Sequence, residues 1–85
     1  MDYPIGIHVE DTSAGVDYQL NLNGHMQKFR VSTEALQDHF GAPDTPTRDD
    51  MLKAFESDWQ RIAAASAKKS GTPSNNIVVV STFDF

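Results

Sequence analysis

The chain changes from strand-like to helix-like sequence at residues 31–41, which read Val31-Ser32-Thr33-Glu34-Ala35-Leu36-Gln37-Asp38-His39-Phe40-Gly41. Ser32 has the hydroxyl that is favoured at a helix N-cap, and Val31 and Leu36 have the spacing of a hydrophobic staple. Leu36 and Phe40 lie four residues apart and therefore share one face of a helix. Gly41 predicts the end of that helix, because glycine often takes the left-handed conformation at this position.

A β-hairpin is predicted before this helix. Asn23-Gly24 favours a two-residue type I′ turn, and apolar and polar residues alternate on both sides of it. With Asn23-Gly24 as the loop, Tyr18 faces Phe29 on an apolar face. On the opposite, polar face, Asp17 pairs with Arg30. The sheet is therefore expected to be covered on one side only.

One long helix is predicted after the proline-containing loop. Thr47 and Asp50 resemble a capping box, and Thr45-Pro46 is an alternative start. Apolar and small residues recur along one face at helical spacing: Met51, Leu52, Phe55, Trp59, Ile62, Ala63 and Ser66. Gly71 and Pro73 predict the end of this helix.

Strands are also predicted at both ends of the chain. Ile5, Ile7 and Val9 alternate with other residues, which indicates a first strand. The last strand is expected over residues 76–83, beside the first. Its four consecutive β-branched residues are apolar on both faces, so Val78 and Val80 are expected to meet the terminal phenylalanines or a second subunit.

These elements predict a single domain over residues 1–85 with an α+β fold. We expect a two-layer sandwich of order β-β-β-α-α-β, in which two helices cover one face of an antiparallel β-meander and a C-terminal strand follows. A chain of 85 residues buries only about 60–65% of its unfolded surface. Its stability is therefore expected to be marginal or to be helped by a partner.

Composition argues against several functional classes. The chain has no cysteine, which excludes disulfides and thiol catalysis. No secretory signal and no membrane-length apolar segment is recognised, so a cytoplasmic location and no membrane partner are expected. Twelve acids against seven bases give a net charge of −5, which disfavours nucleic acid as a partner.

The sequence resembles a family of small bacterial proteins, domain of unknown function family 1488. The resemblance rests on the hairpin, on Ser32 with residues 35–41, on Phe55 and Ile62 in the long helix, and on the terminal residues 81–85. It extends roughly from residue 16 to residue 85. The resemblance implies a compact α/β domain of cytoplasmic bacterial origin and implies no activity, although some members carry the label "transcriptional regulator".

The most notable polar residues are Asp38, His39 and Arg61, which we take as a speculative functional surface. Asp38 and His39 are neighbours in a helix and therefore do not face each other. The interpretation without a function is that His39 interacts with the helix dipole and that Arg61 lies on a solvated helix face. The spacing of the three histidines predicts no metal site, and no cofactor, catalytic residue or nucleophile motif is expected.

Three hypotheses for the function follow. The first is a non-catalytic protein-interaction or accessory module, with a homodimer as one form of it, and the chain is then no enzyme. The second is a DNA-associated transcriptional regulator, although a helix that starts with Asp49 and Asp50 would repel phosphates. The third is a small-ligand binder or an enzyme that uses His39, which requires a concave pocket near that side chain.

Overall fold

The computed structural model describes residues 2–69 and 76–85. Within these ranges four strands and three helices are present, and their order confirms the predicted α+β class. The elements are β1 Ile5–His8, β2 Gly15–Leu22, β3 His25–Ser32, α1 Thr33–His39, α2 Arg48–Ser57, α3 Trp59–Lys69, β4 Val78–Val80 and a C-terminal 3₁₀ turn Thr82–Asp84. The predicted helix end at Gly71 and Pro73 lies outside the described residues.

β2 and β3 form the predicted hairpin in the predicted register. Asn23 and Gly24 have φ angles of 57° and 85°, the left-handed values that a type I′ turn requires at both positions. Tyr18 lies opposite Phe29, with ring centroids 5.7 Å apart. The turn and the alternation specify the same register, and the structure confirms both.

β1 contains a bulge, which the alternating sequence pattern did not reveal. Ile5 pairs with Gln19. Three residues later His8 pairs with Asp17, which lies only two residues back along β2. Gly6, between them, has a φ of 65°, the left-handed conformation that a bulge glycine supplies. The extra residue turns Ile5 to the polar side of the sheet, where it is 55% exposed.

The last strand lies beside β3 and runs parallel to it, so its predicted position beside the first strand is wrong. The three helices form the crossover that a parallel connection needs, and they return the chain to the sheet next to the strand that it left. β4 has only three residues because Ser81 then caps the 3₁₀ turn, where its side chain accepts from the amide of Phe83.

The two faces of β4 differ in burial. Val80 is fully buried, and Val78 packs against the same core. Val79 and Ile77 are 47% and 41% exposed on the opposite side. Of the two expected partners of Val78 and Val80, a second subunit is not needed, since both pack on the core of the same chain. Phe85 also packs on that core, whereas Phe83 is 90% exposed. The uncovered apolar pair is Ile77 and Val79.

α1 begins and ends as predicted. The Ser32 hydroxyl accepts from the Ala35 amide at 3.1 Å, and Gly41 has a φ of 79°. At the next helix, Thr47 and Asp50 form the predicted capping box, with N···O distances of 2.9 and 3.1 Å. α2 therefore starts at the capping box and not at the alternative start, Thr45-Pro46.

The predicted single long helix is two helices. Asp58 has φ and ψ of −153° and 53°, which end α2. Its carbonyl then accepts from the amides of Arg61 and Ile62, which starts α3. Aspartate favours helix ends because its side chain competes for backbone hydrogen bonds. The apolar spacing continued through this break, so the periodicity alone did not show it.

The helices cover one face of the sheet. The largest fully buried apolar side chains of the strands and helices are Val16, Tyr18, Leu20, Phe29, Val31, Leu36, Met51, Phe55, Ile62 and Val80, and Pro4 and the polar Gln27 are buried as well. Among the described residues, no helix has the length and apolar character needed to cross a membrane.

Candidate functional site

The face of the sheet away from the helices carries both charged and apolar side chains. This outer face includes Ile5, His8, Glu10, Asp17, Gln19, Asn21, Met26, Lys28, Arg30, Ile77 and Val79. Apart from Met26 near the hairpin end of β3, its apolar members lie on the edge strands β1 and β4, or directly before β4. Its charged members lie between them or at the β1 side.

At the centre of the outer face Asp17 and Arg30 form the predicted cross-strand ion pair. The guanidinium donates from Nε to Oδ1 at 2.6 Å and from Nη2 to Oδ2 at 3.1 Å. Asp17 is only 8% exposed, so this two-bond geometry fixes the orientation of its carboxylate. The bond to Asp17 also raises the pKa of Arg30 above its ordinary value.

His8 lies beside the same pair, because it alternates with Ile7 and Val9, which pack on the core side. His8 Nδ1 donates to the carbonyl of Gly6 at 2.7 Å. His8 Nε2 lies 3.6 Å from Asp17 Oδ2 and 3.5 Å from Glu10 Oε1. One imidazole nitrogen therefore faces two carboxylates at the end of β1.

A shallow cleft of about 210 Å³ runs between these charged groups and Ile77. Ligand and cofactor pockets usually have about 300–1,000 Å³. The cleft is open and lined by charged side chains, which does not suit an enclosed organic cofactor. It suits a surface contact or a small ion.

The structure places Asp38, His39 and Arg61 around the C-terminal 3₁₀ turn. His39 Nε2 donates to the carbonyl of Thr82 at 2.9 Å. The Arg61 guanidinium lies over two aromatic rings, 5.3 Å from the centroid of Phe40 and 5.6 Å from that of Phe85. The three residues therefore hold the end of the chain against α1 and α3, and a functional role for them stays a prediction.

The Thr82 hydroxyl is not arranged as a nucleophile. It donates to Asp38 Oδ2 at 2.6 Å and lies 3.1 Å from His39 Nε2. A catalytic triad places the histidine between hydroxyl and carboxylate, whereas here the hydroxyl bonds directly to the carboxylate. These contacts position the turn.

Sequence reasoning missed His8, Glu10, Ile77 and Val79. The alternation places His8 and Glu10 on the polar face with Asp17, but it does not show which residue of β1 lies opposite Asp17. The available signal for the exposure of Ile5 was Gly6, because a glycine within an alternating strand often marks a bulge.

A family model described as "Protein of unknown function (DUF1488)" matches residues 2–76. The match starts earlier than the resemblance described above and ends before β4 and the C-terminal turn. No curated protein and no solved structure matches the chain. Because the model covers most of the 85 residues, the chain belongs to the DUF1488 family of proteins of unknown function.

Proposed function

We propose that the chain is a non-catalytic protein-interaction module that binds through the outer face. The observation that carries this proposal is the exposure of Ile5, Ile77 and Val79, which are 55%, 41% and 47% exposed on the face without helices. Removing apolar surface from water contributes about 25 cal/mol per Å². Covering these side chains therefore favours association.

The composition of the outer face supports a protein partner over nucleic acid. Apolar side chains on both edges surround a mixture of acids and bases, whereas DNA binders present a basic patch. The guanidinium of Arg30 is already engaged by Asp17. No specific observation favours the DNA-associated regulator.

We take a second copy of this chain as the partner. In a two-fold dimer each patch meets itself, and the outer face contains both signs of charge, with Glu10 near the β1 edge and Lys28 on β3. Acids of one copy can therefore meet bases of the other. Ile77 and Val79 of one copy can pack against the same residues of the other copy across the two-fold axis, because β4 has no charged side chain.

The area of the outer face limits how much surface a dimer of this chain can bury. The four strands have four, eight, eight and three residues, so at about 3.3 Å per residue and about 4.8 Å between strands the sheet face covers about 360 Å². Two copies would bury about 700 Å² in total, below the roughly 1,200–2,000 Å² of a standard stable interface. The dimer is therefore expected to be weak and to depend on concentration.

Sedimentation equilibrium tests this proposal. From about 1 µM to about 1 mM, the apparent mass should rise towards twice that of the monomer. Val79→Lys should keep the monomer mass, because it places an ammonium group in the apolar contact. Gln60→Lys introduces the same charge on the exposed side of α3 and should behave like the wild type.

Amide shifts recorded across the same concentrations locate the contact. They should concentrate on β1 and β4. A constant monomer mass would rule out self-association. Shifts on the helices would show that the contact lies on the helical side of the molecule and not on the outer face.

A further inference from the structure

His8, Glu10 and Asp17 bring one nitrogen and two carboxylates together at the β1 end of the outer face. Their potential ligand atoms all lie within 4.8 Å of one another. The distances from His8 Nε2 are 3.5 Å to Glu10 and 3.6 Å to Asp17. Both exceed the roughly 2.7–3.2 Å of an ordinary N–H···O hydrogen bond, so Nε2 lies near both carboxylates without a short hydrogen bond to either.

The hydrogen bond at the other ring nitrogen determines what Nε2 offers. Because Nδ1 donates to the Gly6 carbonyl at 2.7 Å, the lone pair of a neutral His8 ring lies on Nε2. That lone pair then faces two carboxylate oxygens. A histidine that binds a metal almost always donates its other N–H to a carbonyl or carboxylate in this way.

The two separations from His8 Nε2 fit a tetrahedral ion. Zinc binds histidine nitrogen and carboxylate oxygen at about 2.0–2.2 Å, which places neighbouring ligands about 3.3–3.6 Å apart. The two distances from Nε2, 3.5 and 3.6 Å, agree with this separation. The side chains of His8 and Glu10 are 53% and 72% exposed, so water can reach the remaining coordination position.

Arg30 acts on this site in two opposing ways. Its two bonds hold the Asp17 carboxylate in place, as outer hydrogen bonds hold metal ligands. Its positive charge also opposes that of a cation. The site is therefore expected to be weaker than a structural zinc site.

We propose that His8, Glu10 and Asp17 bind one divalent transition-metal ion of the zinc class, with water completing the coordination. An imidazole ligand favours such ions, whereas calcium and magnesium prefer all-oxygen sites. Binding requires only one copy of the chain and is therefore independent of the dimer.

The test is a zinc chloride titration of tag-free, ¹⁵N-labelled protein, kept below the concentration at which its mass begins to rise. Long-range ¹H–¹⁵N spectra report each imidazole nitrogen. His8 Nε2 should shift and saturate while Nδ1 keeps its proton. The rings of His25 and His39 should not change, and magnesium should produce no shift.

Two variants separate a built site from surface binding. Glu10→Gln should weaken zinc binding at least about tenfold, and the fold should persist because this side chain is 72% exposed. His25→Ala should bind zinc like the wild type. The proposal is overturned by equal affinity in Glu10→Gln and wild type, or by no saturation of His8 at about 1 mM zinc.

Discussion

At the residue scale, the hydroxyl of Tyr18 is a buried hydrogen-bond donor, since this side chain is 1% exposed. It lies 2.5 Å from Ser66 Oγ. Ser66 donates its own proton to the Ile62 carbonyl at 2.7 Å, so Tyr18 is the donor to Ser66. Burial raises the pKa of Tyr18 well above its ordinary value, because the anion would lose its hydration.

Because the hydrogen bonds run from Tyr18 to Ser66 and from Ser66 to the Ile62 carbonyl, substitutions of Tyr18 and of Ser66 should reduce stability by different amounts. Ser66→Ala leaves the Tyr18 hydroxyl without its acceptor and should lower the free energy of unfolding by about 1–3 kcal/mol. Tyr18→Phe keeps the bond from Ser66 to Ile62 and should cost about 0.5–1.5 kcal/mol. Urea unfolding measures both, and adding Tyr18→Phe to Ser66→Ala should recover part of the loss. A strictly additive double variant would contradict the hydrogen bond.

Two glycines with positive φ predict different costs of substitution. A Cβ at Gly15 would lie 2.0 Å from the Val31 carbonyl oxygen, at a φ of 140°, whereas a Cβ at Gly24 meets nothing within 4 Å. Gly15→Ala should therefore destabilise the fold by about 3 kcal/mol or more, and Gly24→Ala by about 1 kcal/mol. Thermal unfolding of the two variants measures the two losses of stability. Equal losses would mean that β3 moves away from the new Cβ at position 15 without a cost in free energy.

Single residues also show what the sequence could predict of the outer face. The pairing of Asp17 with Arg30 followed from the hairpin register, because both residues lie within one short local element. The alternation of β1 places His8 on this face, whereas its pairing with Asp17 depends on the β1–β2 register, which one extra residue at Gly6 shifts. Exposed Ile77 and Val79 depend on the position of β4, which is set by contacts far apart in the chain.

At the element scale, β4 offers two valines that differ in burial. Val80 is fully buried, and Val79 is 47% exposed. Val80→Ala should cost about 2 kcal/mol, through lost burial and a cavity, and Val79→Ala should change stability by less than about 0.5 kcal/mol. Urea unfolding of dilute, monomeric protein measures both. Similar losses in the two variants would contradict the assignment of the two faces.

The strands and helices also differ in how much of their structure could be predicted from the local sequence. Short-range signals were sufficient for the hairpin, for α1 between Ser32 and Gly41, and for the capping box at Thr47. The break at Asp58 was missed because the apolar spacing continues across it. The parallel pairing of β4 was missed because it depends on the helical crossover and not on the residues of the strand.

At the scale of the whole molecule, the C-terminal turn ties three distant parts of the chain together. His39 of α1 bonds to Thr82, and Lys69 of α3 bonds to Asp84 at 2.8 Å. Asp84 also accepts from the Ser81 amide at 2.7 Å. These contacts hold the end of β4 in place. Protonation of the Asp84 carboxylate would weaken its bonds to Lys69 and Ser81, so the stability of this end of the sheet depends on the charge of Asp84.

This linkage predicts a dependence of global stability on acid pH. The bonds from Lys69 and Ser81 hold the pKa of Asp84 below its ordinary value of 3.8, so near that value the unfolded chain binds more protons than the folded chain. Stability is then fully present above about pH 5 and is lost as the pH falls through the folded pKa. In urea unfolding from about pH 6 to pH 3, Asp84→Asn should be less stable at pH 6 and should lose less on acidification. Asp44→Asn, which makes the same charge change in an exposed loop, should keep the wild-type slope, and an equal slope in Asp84→Asn would show that the turn does not couple protonation to folding.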